Sequence, residues 1–274
     1  MNAEYLQALP ALAKTFALSF EGADDARLAQ ALVFNAGRHA WRLRELGVST
    51  QQKTSVSDVV TEADIAVESF VTHVLELLRP DDGIVAEEGN HRSSNSGRTW
   101  VIDPIDGTYN YAAGSDYWCS ALALVEGEKP IVSAVHRPAM GYTWVGGREL
   151  GTKKDDQVLP RLSDTPLSQT CVATYLHPSF LPQESHFVPW QRAASQAATI
   201  RMLGAGSVDL ASVADGTVGA WFQHSVPDWD WLPGRCLIEG VGGVATQVEA
   251  RGVIWSVAGN SQAVAELTEL LQND

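Results

Sequence analysis

The sequence predicts a mixed fold, α+β in its first half and α/β in its second. Three observations carry this. Apolar residues recur at helical spacing through the first third of the chain. Short apolar strands joined by tight turns follow, from Gly83 to Val145. Beyond Ser163, strand and helix patterns alternate. A chain of 274 residues suits one domain of two lobes, or two small domains packed together. The polar stretch Lys153 to Ser163 is the candidate boundary, which sets the lobes at 1–152 and 153–274.

The elements follow in order. Asp24 to Leu46 carries Leu28, Ala31, Leu32 and Ala36 on one helical face, and Gly47 is placed to cap its end. Thr61 to Leu78 is a second helix, with Ile65, Phe70, Val71, Val74 and Leu78 near one stripe and Pro80 beyond its end. Gly83 to Ala86 and Thr99 to Ile102 read as short strands around a polar loop, His91 to Arg98. Ser120 to Val125, Ile131 to His136 and Tyr142 to Val145 are strands joined by turns at Gly127–Pro130 and Pro138–Gly141. Hairpin-linked strands after helices predict an antiparallel sheet covered by helices. The second half reads as strands over Cys171–Leu176, Thr199–Leu203, Val218–Gln223 and Val253–Val257. Its helices are Ser207–Ala214, Trp229–Gly240 and Ser261–Leu271.

Composition excludes several classes. The chain is 45% hydrophobic and 19% charged, as a folded globular protein is. A net charge of −14 argues against a broad basic surface for nucleic acid or anionic membrane. Cys119, Cys171 and Cys236 form no CxxC pair, so a zinc ribbon or redox dithiol is excluded and reduced thiols are expected. The start, Met1-Asn2-Ala3-Glu4, lacks the pattern of a signal peptide. No apolar run approaches the roughly 20 residues of a membrane-spanning helix. A soluble, cytoplasmic protein is the expectation. There is no G-x-S-x-G elbow and no HExxH. Gly204-x-Gly206 lies between a strand and a helix, but Asp209 stands where a dinucleotide fingerprint needs a third glycine.

The informative stretch is Trp100-Val-Ile-Asp103-Pro-Ile-Asp106-Gly-Thr108-Tyr-Asn110-Tyr111. Two carboxylates sit three residues apart where a strand stops, and Pro104 stiffens the turn between them. Gly107 and Thr108 then open a short helix. Carboxylates hold hard cations such as Mg²⁺, and N–H groups at a helix start hold phosphate oxygens. Together these are the parts of metal-assisted phosphate chemistry. Glu87 and Glu88 are adjacent carboxylates, which repel unless a cation lies beside them. In Asp58-Val-Val-Thr61-Glu-Ala-Asp64, Thr61 and Asp64 fit a capping box, and Asp64 also fits a carboxylate that orients a hydroxyl. Asp230 begins a further helix that accommodates Pro233; an N-cap is its ordinary reading, and Asp228 beside it reads as solvated.

These blocks resemble the signatures of the inositol monophosphatase family. Glu87-Glu88, Asp103-Pro-Ile-Asp106-Gly-Thr108, Trp229-Asp230 and Gly242-Gly243 occur in the family's order, with Lys53 ahead of the Asp58 to Asp64 block. The resemblance spans roughly residues 25 to 270. It implies a layered α-β-α-β-α sandwich of the sugar phosphatase type and Mg²⁺-dependent hydrolysis of a phosphomonoester by water, without a phosphoenzyme. By position, Glu87, Asp103 and the carbonyl of Ile105 would hold a first Mg²⁺, and Asp103, Asp106 and Asp230 a second. Glu87 would share a third through water. Thr108, bonded to Asp64, would orient the attacking water, and the N–H groups of Gly107 and Thr108 would hold phosphate. Asp106, Gly204, Ala205, Gly206, Gln223 and Asp230 would face the leaving group.

The resemblance further implies a phosphorylated polyol or sugar as substrate, inositol monophosphate first, with Li⁺ sensitivity and a homodimer. Histidinol phosphate, nucleoside 3′,5′-bisphosphates and fructose 1,6-bisphosphate are alternatives within the family, the bisphosphates ranking lower for want of a basic cluster near the motifs, and a non-catalytic regulatory protein that kept the fold is an alternative outside it. Some positions depart from the family pattern. Gln223 stands where inositol-preferring members carry an acid, and Trp231-Leu232-Pro233 replaces small residues. Tyr111 and Ala86 replace the more usual Phe and Gly, two changes that read as neutral.

Overall fold

A computed structural model of the chain describes residues 2–47, 50–55 and 58–273, with side chains from 3–47 and 60–273. Five layers stack on one another. The first holds α1 (Asn2–Ser19), α2 (Asp25–Leu46) and α3 (Glu62–Leu78), with a two-stranded ribbon of β1 (Thr50–Ser55) and β2 (Asp58–Thr61) between α2 and α3 in the chain. The second is an eight-stranded sheet. Its strands are β3 (Gly83–Ala86), β4 (His91–Arg92), β5 (Arg98–Asp106), β6 (Cys119–Glu126), β7 (Lys129–Arg137), β8 (Tyr142–Gly147), β9 (Gly151–Lys154) and β10 (Gln157–Val158). They run in the order β10-β9-β8-β7-β6-β5-β3-β4, antiparallel except for β3 beside β5. A short helix, α4 (Thr108–Ala112), follows β5.

The third layer is α6 (Gly206–Ala214) with α7 (Asp228–Gly240). The fourth is a five-stranded sheet of β11 (Cys171–Tyr175), β12 (Thr199–Arg201), β13 (Ala220–His224), β14 (Val244–Ala250) and β15 (Val253–Gly259). Its order is β12-β11-β13-β15-β14, with β11 parallel to both neighbours. The last layer is α5 (Glu184–Ala194) with α8 (Ser261–Gln272). This is the α-β-α-β-α sandwich that the sequence implies.

Strand alternation explains the layering. Trp100 and Ile102 of β5, and Leu122 and Leu124 of β6, pack toward α2 and α3. Their neighbours Val101, Ala121 and Ala123 pack toward α6 and α7. Phe222 of β13 and Trp255 and Val257 of β15 pack toward α8, while Trp221 and Ala258 face the middle layer. A sheet covered on both faces needs apolar residues at every position, which is why these strands read as unbroken apolar runs.

The helix signals are realised locally. Asp24 caps α2 by accepting the N–H of Arg27 at 2.8 Å, and Gly47 ends it at φ 84°. Thr61 and Asp64 close a capping box at the start of α3. Some expectations need correction. Ile65 does not join the buried stripe of α3; it is 57% exposed. Asp230 does not begin α7, which starts at Asp228 after Pro227. β5 does not stop at Asp103 but continues to Asp106 through a register shift. α1, α5 and β14 were not legible: apolar residues lie on several faces of α1, both helices hold an internal proline, Pro10 and Pro189, and β14 lacks strict alternation. The first sheet continues to Val158, past the 152/153 boundary, and the second sheet begins at Cys171. The side chains of Lys53 and Asp58 lie outside the described residues. Among the described residues, no helix is long and apolar enough to cross a membrane.

Candidate active site

The site is built around the end of β5. Asp103 and Asp106 are 1% and 6% exposed, at the irregular end of a strand buried on both faces. Asp103 Oδ1 accepts the N–H of Ile105 at 3.0 Å. Its Oδ2 is buried with no donor directed at it. Burial raises the Asp103 carboxyl well above the ordinary range, and the charges of Glu87, Asp106 and Asp230 push it further. Asp106 accepts the N–H of Gly206 at 3.2 Å and the N–H of Ser207, so it seats the N-terminus of α6. Burial raises its carboxyl too, against the lowering effect of those two amides.

After Asp106 the chain turns sharply. Gly107 has φ 88°, and a Cβ there would lie 3.0 Å from Ala205 Cβ and 3.2 Å from the Gly204 carbonyl oxygen. Only glycine combines that backbone with that approach. Asn110 then donates to the carbonyls of Tyr117 at 2.9 Å and Leu203 at 2.7 Å, which ties α4 to the Gly204–Gly206 loop.

Two residues of α3 support the site from behind. Asp64 Oδ2 accepts the Thr61 hydroxyl at 2.6 Å and the Thr61 N–H at 2.8 Å. Its Oδ1 accepts the Thr108 hydroxyl at 3.1 Å, and the same hydroxyl lies 2.9 Å from the carbonyl of Ile105. Burial raises the Asp64 carboxyl to about 6. Asp64 thus closes the capping box through one oxygen and meets the Thr108 hydroxyl through the other. One turn further along α3, Glu68 accepts the N–H of Glu88 at 2.7 Å and of Asn90 at 3.0 Å. A buried carboxylate thus fixes the turn that carries Glu87.

From the far half of the chain, α7 delivers Asp230. Carboxylate oxygens of Asp103, Asp106 and Asp230 lie within 4.8 Å of one another. A cavity of about 560 Å³ opens on them. Every expected site residue lies against it except Asp64, which acts from behind Thr108: Glu87, Asp103, Ile105, Asp106, Gly107, Thr108, Gly204, Ala205, Gly206, Gln223 and Asp230 all line it. The amides of Gly206 and Ser207 are engaged by Asp106, so this loop serves the acidic cluster and not a dinucleotide.

The sequence pattern of the inositol monophosphatase family matches residues 24–273. The chain belongs to the inositol monophosphatase family. It is 31% identical over 229 residues to an inositol-1-monophosphatase of Caulobacter vibrioides, covering 79% of this chain and 88% of the relative. It is 30% identical over 215 residues to the Nus factor SuhB of Xylella fastidiosa, covering 75% and 74%. The crystal structure of the extragenic suppressor protein suhB of Bartonella henselae superposes with a TM-score of 0.82 at 22% identity, over 90% of this chain and 98% of that one.

Inositol monophosphatase family members are metal-dependent phosphatases, and the acidic cluster here fits such a role. An oxygen-only donor set suits a hard cation, and the buried Asp103 Oδ2 accepts no hydrogen bond among the described residues. Sequence reasoning missed Glu68, Tyr175, His177 and Asp209. The signal for Glu68 was present: it is a charge among the apolar residues Val67, Phe70 and Val71 of α3. Asp209, which accepts the Tyr117 hydroxyl at 2.5 Å, carried no signal of its own beyond the missing glycine.

Proposed function

We propose that the chain is a Mg²⁺-dependent phosphomonoesterase that hydrolyses a small phosphorylated alcohol by attack of water, with no phosphoenzyme. The observation that carries this is the buried, donorless oxygen of Asp103 inside a ring of carboxylates. Buried like charges are costly unless a cation lies among them. Glu87, Asp103, the Ile105 carbonyl, Asp106 and Asp230 would hold two Mg²⁺ ions, with a third shared through Glu87. When bound, Mg²⁺ acidifies water, neutralises phosphate charge and stabilises the leaving oxygen.

The chain's own residues supply the rest. With its proton directed at Asp64, the Thr108 hydroxyl keeps lone pairs to accept a hydrogen bond from water. Thr61 anchors Asp64 from the other side, which fixes the acceptor that the Thr108 hydroxyl shares with the Ile105 carbonyl. The amides of Gly107 and Thr108 are assigned to phosphate oxygens. Each Asp106 oxygen has two lone pairs, so it can seat α6 and still ligate a cation.

The test is phosphate release with and without Mg²⁺, with the Asp103→Asn protein as control. Release that needs Mg²⁺ and disappears in the variant supports the reading; release independent of Mg²⁺ overturns it. A cytoplasmic homodimer inhibited by Li⁺ belongs to the same reading, checked by sedimentation and by LiCl titration. A partner-binding role, suggested by the name of the Xylella relative, is a second reading. The retention of every acidic ligand position favours catalysis over a fold kept for binding alone.

A further inference from the structure

We propose that the segment from Pro178 to Val188 is a flap beside the cavity, latched to the five-stranded sheet by the uncharged ring of His224 and released by mild acid. The latch is independent of the reaction that the cavity carries out. β11 and β13 run parallel with Tyr175 opposite Gln223, and His224 is the next residue, at the end of β13. It is 7% exposed, and three rings close round it. Phe180 meets it edge-on with centroids 4.6 Å apart, His186 at 4.6 Å and Trp255 at 5.4 Å. Phe180 and His186 also meet each other, at 4.5 Å. Trp255 is fixed in β15, whereas Phe180 and His186 belong to the segment. The segment lies between the buried Leu176 and the buried Pro189 of α5. Pro189 has no N–H to offer the Ser185 carbonyl, a break that suits a hinge. The backbone bonds of the turn before α5 stay local: Phe180 donates to His177, Gln183 to Phe180, and His186 and Phe187 to Gln183. Beyond the hinge the chain is tied down again, where the Trp190 indole donates to the Thr174 hydroxyl at 3.0 Å. Pro178 and the residue before it, His177, both line the cavity, so release of the segment withdraws part of its wall.

The cluster tolerates a neutral imidazole and not a charged one. His224 Nδ1 is buried with no hydrogen-bond partner. In an imidazolium both ring nitrogens donate, so Nδ1 would present a buried N–H with nothing to accept it. The groups that face His224 offer no negative charge: Gln223 and Ser225 flank it on its own strand, Trp255 faces it from β15, Phe180 from the turn before α5 and His186 from α5. His186 is the one titratable group among them, and a proton on either ring opposes a proton on the other. Burial, then the charge of His186, lowers His224 from 6.5 to about 4, and burial lowers His186 as well. Once the segment lifts, His224 regains its ordinary value, so opening takes up a proton. The latch is therefore at full strength above about 6.5 and weakens as pH falls from there toward 4. These two values favour the open form over the latched one about thirty-fold more at pH 5.0 than at pH 7.5.

The experiment is amide hydrogen exchange read by mass spectrometry on the full chain in EDTA at pH 5.0 and 7.5, corrected for the intrinsic pH dependence of exchange. Amides from Ser179 to Val188 are expected to open about thirty-fold more readily at pH 5.0. Those of β15, on which the latch rests, are expected to change by much less. His224→Phe keeps a ring in the cluster and removes its titration, and is expected to hold the protection of the segment level between the two pH values. A wild-type segment that does not respond to pH, an equal response in β15, or the same response in His224→Phe overturns the proposal. If His224→Phe does not fold, NMR titration of the wild-type imidazoles takes its place. A His224 midpoint below about 5.5, together with the wild-type exchange response, upholds the latch, and a midpoint at the ordinary value of 6.5 overturns it.

Discussion

At the scale of single residues, the site crowds carboxylates together, and burial holds Asp103 and Asp106 toward their protonated forms in the metal-free chain. Asp103 is buried among Glu87, Asp106 and Asp230, with one oxygen lacking any donor. Asp103→Asn should therefore act in opposite directions on activity and stability. Turnover should fall by about 10²-fold or more, the scale of losing a preorganised electrostatic group. Stability in EDTA at pH 7.5 should rise by roughly 1–3 kcal/mol, because a buried group that must either stay protonated or carry an unpaired charge becomes a neutral amide. Scanning calorimetry checks the second half, and a lower Tm for the variant would refute it. Asp64 provides the pH dependence. Its carboxyl is raised by burial from 3.8 to about 6 in the metal-free chain. A raised folded pKa means that the folded chain holds the proton more tightly than the unfolded one. Its stabilising share is thus complete below about 4 and is lost as pH rises through about 6. Activity should move the other way, since the protonated acid is a weaker acceptor for the Thr108 hydroxyl. Bound cations favour the carboxylate, so we expect kcat to fall on the acid side below about 6, and Asp64→Asn to lose that acid limb along with most of its turnover.

At the scale of elements, α3 is a mount with two carboxylates on its inner face. Asp64 addresses Thr108, and Glu68 one turn later holds the Glu87 turn through the Glu88 and Asn90 amides. Glu68→Ala strands those two amides and should cost about 2–4 kcal/mol. It should also weaken Mg²⁺ binding without touching a ligand, a shift that calorimetric titration reads. A metal affinity equal to wild type would contradict this. The packing of α7 on α6 is equally demanding. A Cβ at Gly234 would fall 2.2 Å from Leu210 Cβ, so Gly234→Ala should destabilise by roughly 1–3 kcal/mol in a denaturant melt.

What the chain discloses before folding follows from these cases. The Asp103 to Asn110 block was legible because its ligands, glycine turn and tie to the 203–204 carbonyls are contiguous in sequence. The capping box was legible because its chemistry is three residues long. Glu68 gave part of its signal, a charge among the apolar residues of α3, but the turn it grips is a fact of the folded chain. Tyr175 opposite Gln223 is a fact of sheet register, which residues 48 apart cannot announce. In α1 the buried stripe of Leu9, Ala13, Phe16 and Ala17 is masked by apolar residues on its other faces and by Pro10, and β14 lacks strict alternation.

At the scale of the whole molecule, the cation site joins the two halves of the chain. Asp103 and Asp106 come from the eight-stranded sheet, and Asp230 comes from a helix that also packs on the five-stranded sheet. Mg²⁺ should therefore stabilise the entire fold and not a loop. At a hundred-fold excess over Kd the gain is about 2.7 kcal/mol. It should grow from pH 5 to pH 8, because ligand carboxylates held protonated by burial must lose those protons before they bind. Melting curves with EDTA and with MgCl₂ at the two pH values test this; an equal gain at both would count against it. The bonds from the Gly206 and Ser207 amides to Asp106 extend the linkage into spectroscopy. A cation that draws electron density from that carboxylate loosens its hold on both N–H groups. Their proton resonances then shift, so two amides at the head of α6 become a built-in gauge of occupancy, readable by NMR with no substrate present.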